Sequence, residues 1–147
     1  MWDYYSKNNE FEYAYNRNKR LYINIVAVHK AIETNNEMYI EYFIIHEMRH
    51  IYQHYCIDLY NYNISKCPNI NHAKKWKENY SCYIKYDNQE DYYNQVVEFD
   101  AYVFAMAVIQ YLYGEKNYVQ IPKPYIDNEN YYLAVKYLIY YFKSQNF

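Results

Sequence analysis

Glycine is nearly missing from this chain, with Gly114 the single example among 147 residues, and proline occurs only three times. No Gly/Ser linker, repeat or low-complexity block divides it, and the length suits one domain over residues 1–147 with a hydrophobic core of its own. Cys56, Cys67 and Cys82 are odd in number, widely spaced and form no C-x-x-C pair. That spacing argues against a disulfide framework and against a cysteine-based zinc knuckle, and leaves reduced, partly buried thiols as the expectation. Charge of one sign is missing too: the formal net charge is -2, and basic residues gather only at 16–20 and 74–77. No electrostatic footprint for nucleic acid results. Residues 1–7 lack a basic region followed by an apolar stretch, and no window approaches the roughly 18 apolar residues that cross a bilayer. The expectation is a soluble, cytoplasmic protein with neither nucleic acid nor membrane as partner.

Against these absences stand 26 tyrosines, with abundant Asn, Ile and Lys. The pattern looks like the codon bias of an AT-rich genome, so most tyrosines read as packing aromatics and no single one marks a site. The informative stretch is His46-Glu47-Met48-Arg49-His50. In a helix, residues four apart share a face, so both imidazoles can bind one metal while Glu47, about 100° around, borders the same cleft.

Leu21, Ile23 and Ile25 alternate with Tyr22, Asn24 and Val26, which predicts a strand over 20–26. Met38, Phe43, Ile44, Met48, Ile51 and Tyr55 recur at helical spacing and predict a helix from residue 37 to about 60, capped by Thr34 or Asn35. A short amphipathic helix is predicted over 72–84 and a long one over 89–113, closed by Gly114. Pro122 and Pro124 predict an extended loop, before a last helix over 130–143 with Tyr131, Val135, Leu138 and Phe142 as its buried stripe. The predicted class is α+β, predominantly α, with the His46/His50 helix packed on a second ligand-bearing helix beside a small sheet.

A catalytic zinc takes three protein ligands and one open position, so two histidines need a partner. Glu98 offers one, because Ala101 and Ala105 at i+3 and i+7 let its helix approach the histidine helix closely. Asp100 is a weaker candidate ligand. His54 is conceivable on spacing, yet it lies too far along the helix from His46 to reach the same ion easily. His29 and His72 fall outside both motifs. Gln53, seven residues after His46, is placed for a supporting hydrogen bond, and Arg49 for an ion pair between helices or at the surface.

The pairing of His46-Glu47-x-x-His50 with Glu98-x-x-Ala101-x-x-Phe104-Ala105 resembles the gluzincin branch of zinc metallopeptidases, especially small single-domain members and ImmA/IrrE-type catalytic domains. The likeness covers roughly residues 20–110 and implies a zincin-like fold, one Zn2+ per chain, and Glu98 as third ligand. Many gluzincins place Asp or Asn four residues after that glutamate, whereas this chain has Tyr102 there and its acid at Asp100. Tyr102 could donate a hydrogen bond from that face, and Asp100 could orient another group.

The resemblance implies hydrolysis of a peptide or protein substrate by water activated at zinc, with Glu47 as general base. Tyr102 and Tyr93 are the candidates for the donor that stabilises the oxyanion. Two rival readings stand beside this one: a noncatalytic zinc-stabilised interaction module, and a metal-free helical domain such as an immunity, antitoxin or mobile-element accessory protein. Glu47 favours the enzyme over the structural-zinc rival, since a purely structural site has no use for a base there.

Overall fold

The computed structural model describes residues 2–5, 14–85, 89–114, 119 and 121–145. Three strands come first, β1 (Trp2–Tyr5), β2 (Ala14–Arg17) and β3 (Arg20–Asn24). The helices follow: α1 (Ile25–Glu33), α2 (Glu37–Tyr62), α3 (Ile70–Ser81), α4 (Gln89–Tyr93), α5 (Val96–Tyr113), α6 (Lys123–Ile126) and α7 (Glu129–Ser144). The chain is thus predominantly helical with one small sheet.

In that sheet β3 is central, parallel to β1 with Trp2 opposite Leu21, and antiparallel to β2 with Ala14 opposite Ile23. The β2–β3 hairpin turns through Asn18 and Lys19 at φ 52° and 60°. Two successive left-handed residues make the turn whose twist matches a hairpin, and in a chain without glycine to spare an Asn and a Lys adopt it. Ala14, Leu21 and Ile23 bury one face of the sheet against Val28 of α1 and Ile44 and Ile51 of α2.

The strand ends two residues earlier than its alternation predicts. Asn24 accepts a hydrogen bond from the Val26 backbone N–H at 3.1 Å and so caps α1, a helix the sequence pattern did not indicate. Thr34 and Asn35 close α1 instead of capping α2. The Thr34 hydroxyl donates to the Lys30 carbonyl at 2.8 Å, Asn35 takes φ 50°, and Asn36 is the N-cap of α2 without a side-chain hydrogen bond.

The predicted helix over 89–113 is in fact two helices, α4 and α5, broken at Gln95, whose backbone is extended. Its buried amide explains the break: Oε1 accepts from the Ile84 N–H at 2.8 Å, and Nε2 donates to the Ile84 carbonyl at 2.9 Å and the Tyr92 carbonyl at 3.2 Å. Asn79 of α3 then accepts from the Val97 N–H at 3.0 Å, satisfying an early donor of α5. Gly114 at φ 94° ends α5 where a side chain would be strained.

Pro122 and Pro124 do not hold an extended loop. Pro124 lies in the first turn of α6, where its missing N–H costs nothing. The α3 helix begins at Ile70, with Asn69 accepting from the His72 N–H, and stops at Ser81. On α7 the fully buried residues are Tyr131, Val135 and Ile139, with Leu138 and Phe142 half-buried beside them.

The core forms where α5 packs between α2 and α7. Ala101, Ala105 and Ala107 are fully buried, and these small side chains let the helices approach; Met106 and Ile109 are buried with them. Each side chain of the latter size contributes roughly 1.5–3 kcal/mol by leaving water. Tyr42, Tyr125 and Tyr131 fill the space between, the last two stacked with ring centroids 5.0 Å apart. A second cluster of Trp76, Ala73, Cys56, Cys67 and Val97 docks α3 on α2 and α5, and all three cysteines are free thiols. Contrary to the sequence expectation, α5 is long and apolar enough to cross a membrane by length and composition. Half of it is buried inside the fold, as in the core helix of a folded domain.

Candidate metal centre

His46 and His50 lie one turn apart on the face of α2 that meets α5, and Glu98 stands in the first turn of α5, where the helix dipole favours an anion. The two Nε2 atoms are 3.0 Å apart. Glu98 Oε2 is 3.5 Å from His46 Nε2, and Oε1 is 3.4 Å from His50 Nε2. All three residues are buried, at 3%, 5% and 1% exposure. Ligands about 2.0–2.1 Å from a tetrahedral ion stand about 3.3–3.4 Å apart, so this triangle has the dimensions of one face of such a site. These three residues could hold a metal ion.

Electrostatics agrees with the geometry. Burial works against the charge on Glu98, yet hydrogen bonds from His46 and His50, with their charge, hold its carboxyl far below the usual range. Burial likewise opposes a charged His50, but the hydrogen bond and charge of Glu98, helped by the Glu47 charge, push it up to about 9. The site is built to keep a positive charge beside Glu98. A proton can supply it, and so can a metal cation.

Around the triangle the polar groups are organised in layers. Tyr83 donates to Glu98 Oε1 at 2.8 Å and Tyr92 to Oε2 at 2.7 Å, so each carboxylate oxygen meets one imidazole and one phenol. Burial first, then the Glu98 charge, raises both phenols and keeps them neutral donors. On the other side His50 Nδ1 lies 2.9 Å from Gln53 Oε1 and 3.0 Å from the Tyr80 hydroxyl. The His46 ring packs on Tyr102 with centroids 4.2 Å apart, while its Nδ1 has no hydrogen-bond partner among the described residues.

Glu47 is half-buried and contributes no atom to the ligand group. Its Oε2 accepts from Asn16 Nδ2 of β2 at 2.6 Å. Asp100 also stands outside that group; it binds Arg49 through two hydrogen bonds of 2.9 and 3.0 Å and accepts from Gln53 Nε2 at 2.7 Å. Tyr102 meets the site through its ring, and Tyr93 lies behind it at 5.7 Å. His54 stacks on Tyr80 at 4.3 Å, and His29 and His72 are exposed.

The sequence reading therefore reached the three residues that could hold a metal and Gln53 but missed Tyr80, Tyr83, Tyr92 and Asn16. Among 26 tyrosines no local signal separates three. Tyr92 reaches Glu98 only because the chain breaks at Gln95, and Asn16 reaches Glu47 only through the hairpin. Compared against protein-family models, curated proteins and solved structures, the chain has no significant match in any of the three.

Proposed function

We propose that this protein is a zinc-dependent metallopeptidase of gluzincin type, holding one zinc per chain with His46, His50 and Glu98 and acting on a peptide or protein substrate. The observation that supports it most is the placement of Glu47. That carboxylate follows a ligand in sequence, lies close enough for its charge to act on His50, and stays outside the ligand group. A site built only for structure has no use for it there.

Two imidazoles and a carboxylate are a donor set suited to zinc, and three protein ligands leave a position open. When bound, zinc supplies Lewis-acid polarisation of a substrate carbonyl and brings the pKa of a water toward neutrality. Glu47 takes a proton from water and returns it to the leaving amine. The Asn16 hydrogen bond orients this base, and a carboxylate has lone pairs to spare beyond that one bond. Tyr83 is 39% exposed while it holds Glu98, so its neutral phenol can turn to the carbonyl oxygen as negative charge develops there.

One observation favours the noncatalytic zinc module: the ligands are nearly inaccessible, and three clefts lined by residues of α3 to α7 include none of them. Metal content after purification without added zinc, followed by hydrolysis of an unstructured peptide library by wild type and Glu47→Gln, tests the proposal. Stoichiometric zinc with no cleavage by the wild type gives the noncatalytic reading.

A further inference from the structure

We infer that Gln53 is a positioning residue for the metal centre: anchored by Asp100 and the Val97 carbonyl, its amide fixes His50 with a proton on Nδ1 and leaves Nε2 for the metal. The inference deepens the zinc reading and rests on it.

Arg49 forms a two-point ion pair with Asp100. Its guanidinium is held over Phe104 at 4.5 Å, with Tyr52 and Trp76 at 5.0 and 5.4 Å. Both oxygens of a carboxylate paired with a guanidinium in this way accept, and a backbone carbonyl can only accept. The Gln53 group 2.7 Å from Asp100 Oδ2 and 3.0 Å from the Val97 carbonyl oxygen must therefore be the amide nitrogen. This settles which way round a buried amide lies.

With Nε2 so engaged, Oε1 faces His50 Nδ1 at 2.9 Å and the Tyr80 hydroxyl at 2.7 Å. A carbonyl oxygen accepts from both, and the imidazole must then carry its proton on Nδ1. In the neutral ring, that leaves Nε2 with a lone pair directed at His46 and Glu98. Metal-bound histidines commonly have their second nitrogen held in this manner, which fixes the ring and raises its basicity.

Gln53 gives this support from the histidine helix itself. Its anchors, Val97 and Asp100, lie on the helix that supplies Glu98, so His50 is set for metal only when α2 and α5 are docked.

Long-range 1H–15N spectra of the zinc-loaded protein read the inference directly. His50 should show a slowly exchanging proton on Nδ1 and metal on Nε2, and Gln53→Met should lose that slow exchange and bind zinc about 10–100-fold more weakly. Metal on His50 Nδ1, or Gln53→Met with unchanged zinc affinity and proton exchange, overturns the role of Gln53 and leaves the zinc site standing. Should Gln53→Met fail to fold, the wild-type spectrum still decides. A wild type that binds no zinc overturns the metal reading and this inference together.

Discussion

Asn16 donates to the Glu47 carboxylate across 2.6 Å, and so ties the sheet to the one carboxylate of the motif that stays outside the ligand group. The bond depends on a chain of local choices. Asn16 stands opposite Leu21 in the antiparallel pair, Leu21 is buried against α2, and the left-handed turn at Asn18 and Lys19 sets the register. Lys19, within that turn, pairs with Asp58 near the end of α2. A sheet of three short strands thereby positions a side chain on a helix, which is more than covering its apolar face.

The ligand set predicts the metal content. Wild type should carry one zinc per chain, while His46→Ala and Glu98→Ala should each bind zinc far more weakly, measured by competition with a chromogenic chelator. Because metal binds the folded state, zinc at about 100 times its Kd should add about 2.7 kcal/mol of stability, seen as a fall in Tm when the metal is removed. Stoichiometric zinc of unchanged affinity in either variant would show that the proposed ligands are wrong.

Close approach of α2 and α5 depends on Ala101, which is fully buried. Ala101→Leu should cost about 1–3 kcal/mol by overpacking and weaken zinc binding at the same time, since it separates Glu98 from the histidines. Urea denaturation and zinc titration of one preparation read both effects. Wild-type values in both would rule out this packing as a determinant of the site. Phe104 is half-buried and lies under Arg49, so it offers a less sensitive test.

What could be read in advance divides along physical lines. The convergence of His46, His50 and Glu98 was legible because a candidate metal group needs particular side chains at helical spacing, and because two alanines following Glu98 announce a close helix contact. The hydrophobic period likewise gave α2 and α7 to within two or three residues. Where polar side chains override the period, it misled. Asn24 turns an alternating stretch into a helix, and Gln95 breaks an apolar run by bonding to Ile84, a partner known only from the fold. Tyr83 and Tyr92 were hidden for the opposite reason, being two copies of the commonest side chain in the sequence.

That Gln95 break carries its own prediction. The side-chain amide satisfies the Ile84 N–H and carbonyl together with the Tyr92 carbonyl, and it holds Tyr92 where its phenol meets Glu98. Gln95→Ala should lower stability by about 1–3 kcal/mol, the cost of leaving buried polar groups unpaired. Amide exchange at Ile84 should rise at the same time. An unchanged exchange rate there would show that the break is kept by something other than this side chain.

The proposed hydrolysis turns on Glu47. Glu47→Gln retains an oxygen to accept from Asn16 and closely matches the native side chain in size, so fold and zinc content should stay as in the wild type. What it loses is the capacity to take a proton. Peptide hydrolysis should therefore fall by roughly 100-fold or more, the scale expected when a positioned acid–base group is removed, and the loss should appear in kcat with little change in KM. Asn16→Ala keeps the base but frees its carboxylate, so it should give a smaller loss with the same zinc content. Tyr83→Phe separates the phenol from the base: it too should lower kcat, while zinc stays bound through the three ligands. Equal rates for Glu47→Gln and wild type on one cleaved peptide would exclude Glu47 as the base, and a drop in zinc content in that variant would make it a ligand instead.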